Sequence, residues 1–170
     1  MSQDYFEDEG AGAFAVTATA VDGAWQVREY RDDFSSVDTA INKVRGLRAE
    51  SAAFALLCVD DDYFVIVRPV PGNVRLFLSD ATMAVDDDFA ADVLERQGLD
   101  IPDIDPADLD DVDGYADGDF GILEDLGMTG EVLGVITDNQ EDWPSDMLLR
   151  IAGELGFGDE LEEIVHGGDE

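Results

Sequence analysis

The sequence predicts an α+β fold: one domain in which an antiparallel sheet of about five strands (ββαβββ) precedes a helical C-terminal half packed on one face. Three observations lead there. Short apolar runs separated by Asp, Gly, Pro and Asn crowd residues 13–79, the signature of strands joined by turns. From residue 87 onward, apolar residues recur at spacings of three and four, the period of helices. Strands therefore come first and helices afterwards, instead of alternating as in parallel βαβ folds.

Each element has its own warrant. "AFAVTATAV" (13–21) and "AWQVREY" (24–30) flank Asp22-Gly23, a hairpin turn whose glycine supplies the positive φ. Trp25 and Val27 alternate with Gln26 and Arg28, which gives the second strand one wet face. Ser35 or Ser36 caps a helix in which Val37, Ile41, Val44 and Leu47 form an apolar stripe. Lys43, Arg45 and Arg48 fall toward its C-terminal end, where positive charge complements the helix dipole. Strands at 53–59, 63–69 and 74–79 follow, turned by the Asp triplet 60–62 and by Pro71-Gly72-Asn73. The run 53–59 is apolar on both faces and belongs in the middle of the sheet, which makes Cys58 a small core residue and not a reactive thiol.

The helical half begins with "DDFAADVLERQG" (87–98), where Phe89, Val93 and Leu94 share a side and Gly98 ends the helix. An acidic loop spans 99–119, the longest irregular stretch and the expected mobile one. Val132, Leu133 and Ile136 mark a short helix near 130–138. Pro144 opens the next, with Met147, Leu148, Ile151 and Leu155 on its apolar face before Gly156. Asp159 and Glu162 read as a variant capping box for a last helix carrying Leu161, Ile164 and Val165. The domain is expected over residues 13–166, with a flexible acidic tail at 1–12 and a short tail at 167–170.

Charge narrows the function. Lys and Arg number 9 against 42 Asp and Glu, a net charge of −33. Residues 1–75 hold 13 acids and 7 bases, whereas residues 76–170 hold 29 acids and only 2 bases. Such a surface repels phosphates, so direct nucleic-acid binding is not expected of it. A basic protein partner or a divalent cation suits the sign, and solubility or adaptation to salt would account for the same excess. Cys58 is the single cysteine, so no internal disulfide can form. With an acidic N-terminus and no apolar run near membrane-spanning length, the chain reads as cytoplasmic.

Carboxylates cluster at three places that could form a site. Asp86, Asp87 and Asp88 directly precede a helix, and Ser79-Asp80 precede a turn at 81–84; in both places capping explains the residue types. "DGYADGDFGILE" (113–124) fits a calcium-binding loop in part. Asp113, Asp117, Gly118 and Glu124 fall at positions one, five, six and twelve, but Tyr115 stands where a short oxygen ligand belongs. A cation module using the loop 103–124 is therefore the alternative function. Catalysis is short of parts: His166 is the only histidine, a zinc set cannot be assembled from one His and one Cys, and no phosphate-binding glycine loop occurs. No residue is assigned as catalytic and no cofactor is expected.

"VRLFLSDATMAVDDDFAADVLERQGLDIP", "GDFGILEDLGM" and "PSDMLLRIAGELGFG" resemble the bacterial tRNA adenosine deaminase-associated proteins, over most of the chain from Phe14 to the last helix. The resemblance implies linkage to a tRNA-specific adenosine deaminase, a zinc enzyme acting on the wobble adenosine, through gene neighbourhood. It transfers no catalytic motif, and this chain lacks the H-x-E and P-C-x-x-C signature of such an enzyme. The expectation is an acidic, non-enzymatic accessory protein that binds a basic partner, with the deaminase as the suggested one.

Overall fold

The computed structural model describes residues 13–47, 52–139 and 141–167. The expected tail at 1–12 lies outside the described residues, as do Arg48 and residues 168–170. Strands β1 (Phe14–Val21) and β2 (Ala24–Tyr30) form the hairpin. After α1 (Val37–Arg45) come β3 (Ala53–Val59), β4 (Tyr63–Val70) and β5 (Asn73–Leu78). The second half carries α2 (Asp88–Arg96), a two-residue strand β6 (Asp117–Gly118), α3 (Gly130–Asp138), α4 (Pro144–Leu155) and α5 (Gly158–Gly167).

One antiparallel sheet takes the order β2-β1-β3-β4-β5-β6, so β2 and β6 are its outermost strands. Five of the six strands are those predicted. The sixth, β6, pairs Gly118 with Phe77 and Asp117 with Leu78, extending the sheet from inside the acidic loop. Gly118 is needed there. Its φ is +124°, and a Cβ would stand 2.8 Å from the Leu76 carbonyl oxygen.

β3 lies near the middle, between β1 and β4, and is apolar throughout because both faces of the sheet are covered. Phe54, Leu56 and Cys58 point into one core, shared with Phe64, Ile66 and Phe77 and roofed by Leu133, Leu148, Ile151 and Leu161 of α3, α4 and α5. Ala55, Leu57 and Val59 point into the other, under Val37, Ile41 and Val44 of α1 and Phe89, Val93 and Leu94 of α2. The α+β reading holds, with one refinement. The C-terminal helices do not all share a face, because α2 joins α1 on one side while α3, α4 and α5 occupy the other. Each β-strand turns alternate side chains to opposite sides, so a doubly apolar strand demands cover on both.

Local signals mostly land where expected. Ser36 caps α1 by accepting from the Asp38 N–H at 3.1 Å. Pro144 is the first residue of α4, and Gly156 ends it at φ +112°. α5 starts at Gly158, one residue ahead of Asp159, so Asp159 lies in the first turn and is not the cap.

Candidate functional site

Three helical starts and one strand turn meet at one end of the sheet, and carboxylates attend all of them. Asp80 opens the 3₁₀ turn 81–85, accepting from the Thr82 N–H at 3.0 Å and the Thr82 hydroxyl at 2.6 Å. Asp87 caps α2 through the Phe89 N–H at 2.9 Å and also accepts the Tyr63 hydroxyl at 3.1 Å. Asp88 sits in the first turn of α2. These are the structural roles predicted for Asp80 and for the 86–88 triplet. They place negative charge where unpaired N–H groups carry partial positive charge.

The third start is served from a distance. Asp61, in the β3–β4 turn, is 4% exposed, and its carboxylate accepts the Ser145 N–H at 2.8 Å and the Ser145 hydroxyl at 3.0 Å. The α4 N-terminus has no cap bond of its own from Trp143, so a residue 84 positions away supplies it. The residues 60–62 by themselves predict only a turn, because nothing local in the sequence joins Asp61 to Ser145. Asp60 and Asp61 both adopt left-handed φ, +55° and +57°, a region that Asp tolerates better than most residues.

Cys58 donates its thiol to Asp61 at 3.5 Å and is fully buried. Burial, followed by the Asp61 charge, drives its pKa upward, away from a thiolate. Asp62 projects outward from the same turn. Partial burial and then the charges of Asp60, Asp61 and Asp87 push its pKa above the ordinary 3.8.

A cleft of about 190 Å³ opens between these groups, lined by Asp62, Ser79, Asp80, Gly114, Thr137, Asp142, Pro144 and Met147. It joins the β3–β4 turn, the end of β5, the acidic loop and the α3–α4 connection. Gly114 is pressed against the Asp80 carboxylate so closely that a Cβ would collide with it. Next to it, the Tyr115 carbonyl accepts the Ala81 N–H at 2.6 Å, which seats the acidic loop on the 3₁₀ turn.

The partial calcium pattern, 113–124, runs from this loop through β6. Asp117 lies on β6 and accepts its neighbour's N–H, Gly118, at 2.8 Å. Glu124 begins a 3₁₀ turn of three residues, and Asp113 lies exposed in the loop. No α-helix directly flanks 113–124 among the described residues, and among them no three of His, Cys, Asp and Glu are grouped so as to hold a metal ion. His166 lies within α5.

The segment 119–125 is instead held by two arginines, Arg68 and Arg75, to which no motif assigns a role. Arg68, 7% exposed, makes two parallel bonds to Asp125 at 2.7 and 2.8 Å and a third to the Ile122 carbonyl at 2.7 Å. Its partner across the strands, Arg75, donates to Asp119 at 2.6 Å and to the Gly121 carbonyl at 2.8 Å. A lone arginine inside an apolar strand was the available signal. Arg96 pairs with Asp38 and Asp92, and Arg150 with Asp142.

Comparison with known proteins agrees with the resemblance seen in the sequence. Protein Rv3753c of Mycobacterium tuberculosis (strain ATCC 25618 / H37Rv) is 44% identical over 153 residues, covering 89% of this chain and 87% of that protein. No solved structure gives a significant match. Among the described residues no helix is long and apolar enough to cross a membrane. A family model matches residues 13–158, and the chain belongs to the family it describes, the Rv3753c-like tRNA adenosine deaminase-associated proteins.

Proposed function

We propose that this is a non-enzymatic accessory protein of the cytoplasm whose acidic surface binds a basic protein partner. The family's description makes a tRNA-specific adenosine deaminase the partner to try first. The observation that carries this reading is how the few cations are used. Arg68, Arg75, Arg96 and Arg150 are all committed to carboxylates of the chain itself, and both bases of residues 76–170 are among them. Most other acids of that half among the described residues are exposed, with no base of their own half left to answer them. A partner rich in Lys and Arg supplies what the chain lacks, whereas tRNA phosphates would be repelled.

The test is a titration of the purified protein with the deaminase at rising salt. A complex that weakens about tenfold or more between roughly 0.05 and 0.5 M salt supports the reading. No complex at low salt, or one indifferent to salt, overturns it.

A further inference from the structure

The large hydrophobic side chains that stay exposed among the described residues are Val112, Tyr115, Val132, Val135 and Trp143. All come from residues 112–143, the acidic half, and none from the β1–β5 portion of the sheet. Scattered exposed apolar residues need no explanation, but segregation of this kind does. The segments that carry them converge, because Gly114, Thr137, Asp142 and Pro144 line the same cleft. Trp143 stands between two of those lining residues and is 54% exposed; Tyr115 adjoins a third and is 44% exposed. On α3, Leu133, Ile136 and Thr137 face the core, which turns Val135, 69% exposed, to the centre of the outer face. One turn away on that face lie Glu131 and Asp138.

We propose that the 112–115 loop, the outer face of α3 and the start of α4 form a docking face for an amphipathic, basic protein segment. This rests on the reading of the protein as a binder of basic partners and names where and how the contact is made. Val135, Tyr115 and Trp143 meet the apolar stripe of the incoming segment, and the carboxylates around them meet its Lys and Arg residues. At about 190 Å³ the cleft falls below the roughly 300–1,000 Å³ of small-molecule pockets and suits one long cationic side chain. Asp62 waits at its rim, its carboxylate accepting no hydrogen bond among the described residues. Aromatic residues beside such a cleft are the side chains that most often dominate binding, and their faces attract guanidinium and ammonium groups. A nucleic acid or an anionic lipid surface meets the same carboxylates with the wrong sign.

The probe is a synthetic amphipathic peptide of Leu, Lys and Arg, compared with a control of equal charge in which Ser replaces Leu. Val135→Asp separates the possibilities, since it adds attraction for a cation while removing an apolar contact. The docking face requires the amphipathic peptide to bind about tenfold or more tighter than the control, and Val135→Asp and Trp143→Ala each to weaken it by about tenfold. Binding should also shift tryptophan emission in the wild type and leave it unmoved in Trp143→Phe; melting curves confirm that the variants fold. Equal affinity for the two peptides, or unchanged or tighter binding by Val135→Asp, overturns the docking face and leaves the purely electrostatic reading standing. Binding of neither peptide overturns both.

Discussion

Asp61 shows how much a single carboxylate contributes to this fold. It adopts a left-handed φ in the β3–β4 turn and satisfies two donors of Ser145, each in a buried setting. Replacing it with Ala leaves both donors without a partner, so Asp61→Ala should lower the unfolding free energy by about 2–3 kcal/mol in urea titrations. Asp61→Asn keeps one acceptor oxygen and a residue at ease with positive φ, and should lose about half as much. At Gly114 the constraint is space: Gly114→Ala puts a methyl group into the Asp80 carboxylate and should lift the acidic loop from the 3₁₀ turn. Faster amide exchange at Ala81, whose N–H bonds the Tyr115 carbonyl, is the expected readout. Residues of this kind divide by legibility. Asp80 and Asp87 were readable because a cap acts on N–H groups two or three residues ahead. Asp61 was not, because its partner lies 84 residues away and no spacing rule reaches that far.

Among elements, the strands and helices were largely legible because each announces itself by period: two for β1 and β2, three and four for α1 to α5. β6 has two residues and therefore no period; only its glycine hinted at a close backbone approach. The sharing of helices between the two faces is a consequence of the doubly apolar β3, but periodicity within each helix does not say which face it covers. Arg68 and Arg75 explain the placement of the segment after β6. Directly opposite each other on β4 and β5, two like charges would repel, and Asp119 and Asp125 neutralise them while tying 119–125 to the sheet. Arg68→Ala should cost about 2–3 kcal/mol, and it should expose the amides of 119–126 to exchange well before global unfolding. Asp125 is half exposed, so the loss stays below that of a wholly buried pair.

For the molecule as a whole, self-repulsion is the governing term at −33. Added salt should raise the melting temperature by several degrees between roughly 0.05 and 0.5 M, the reverse of what fold-holding ion pairs alone would give. Acid acts in two opposed stages. The raised pKa of Asp62 means that the folded state binds this proton more tightly than the unfolded one, so stability increases as pH falls through that pKa. Hydrogen bonds from Arg68 and Arg96 lower the pKa of Asp125 and Asp38, so their contribution is present above the ordinary 3.8 and disappears as pH falls through the lowered values. Melting temperature should therefore climb on mild acidification and drop below about pH 3.8. Asp62→Asn should raise it by roughly 1–2 °C at neutral pH and blunt the climb.

Screening reaches beyond the single molecule. Among the described residues β2 is bonded along one side only, and its other side carries an unclaimed row of backbone donors and acceptors seven residues long. Mutual repulsion keeps two such margins apart, and the ions that firm up each copy also let margins approach and zip together. Concentrated samples should accordingly scatter more light as salt rises, and a lysine in place of Gln26, on the exposed side of that strand, should suppress it.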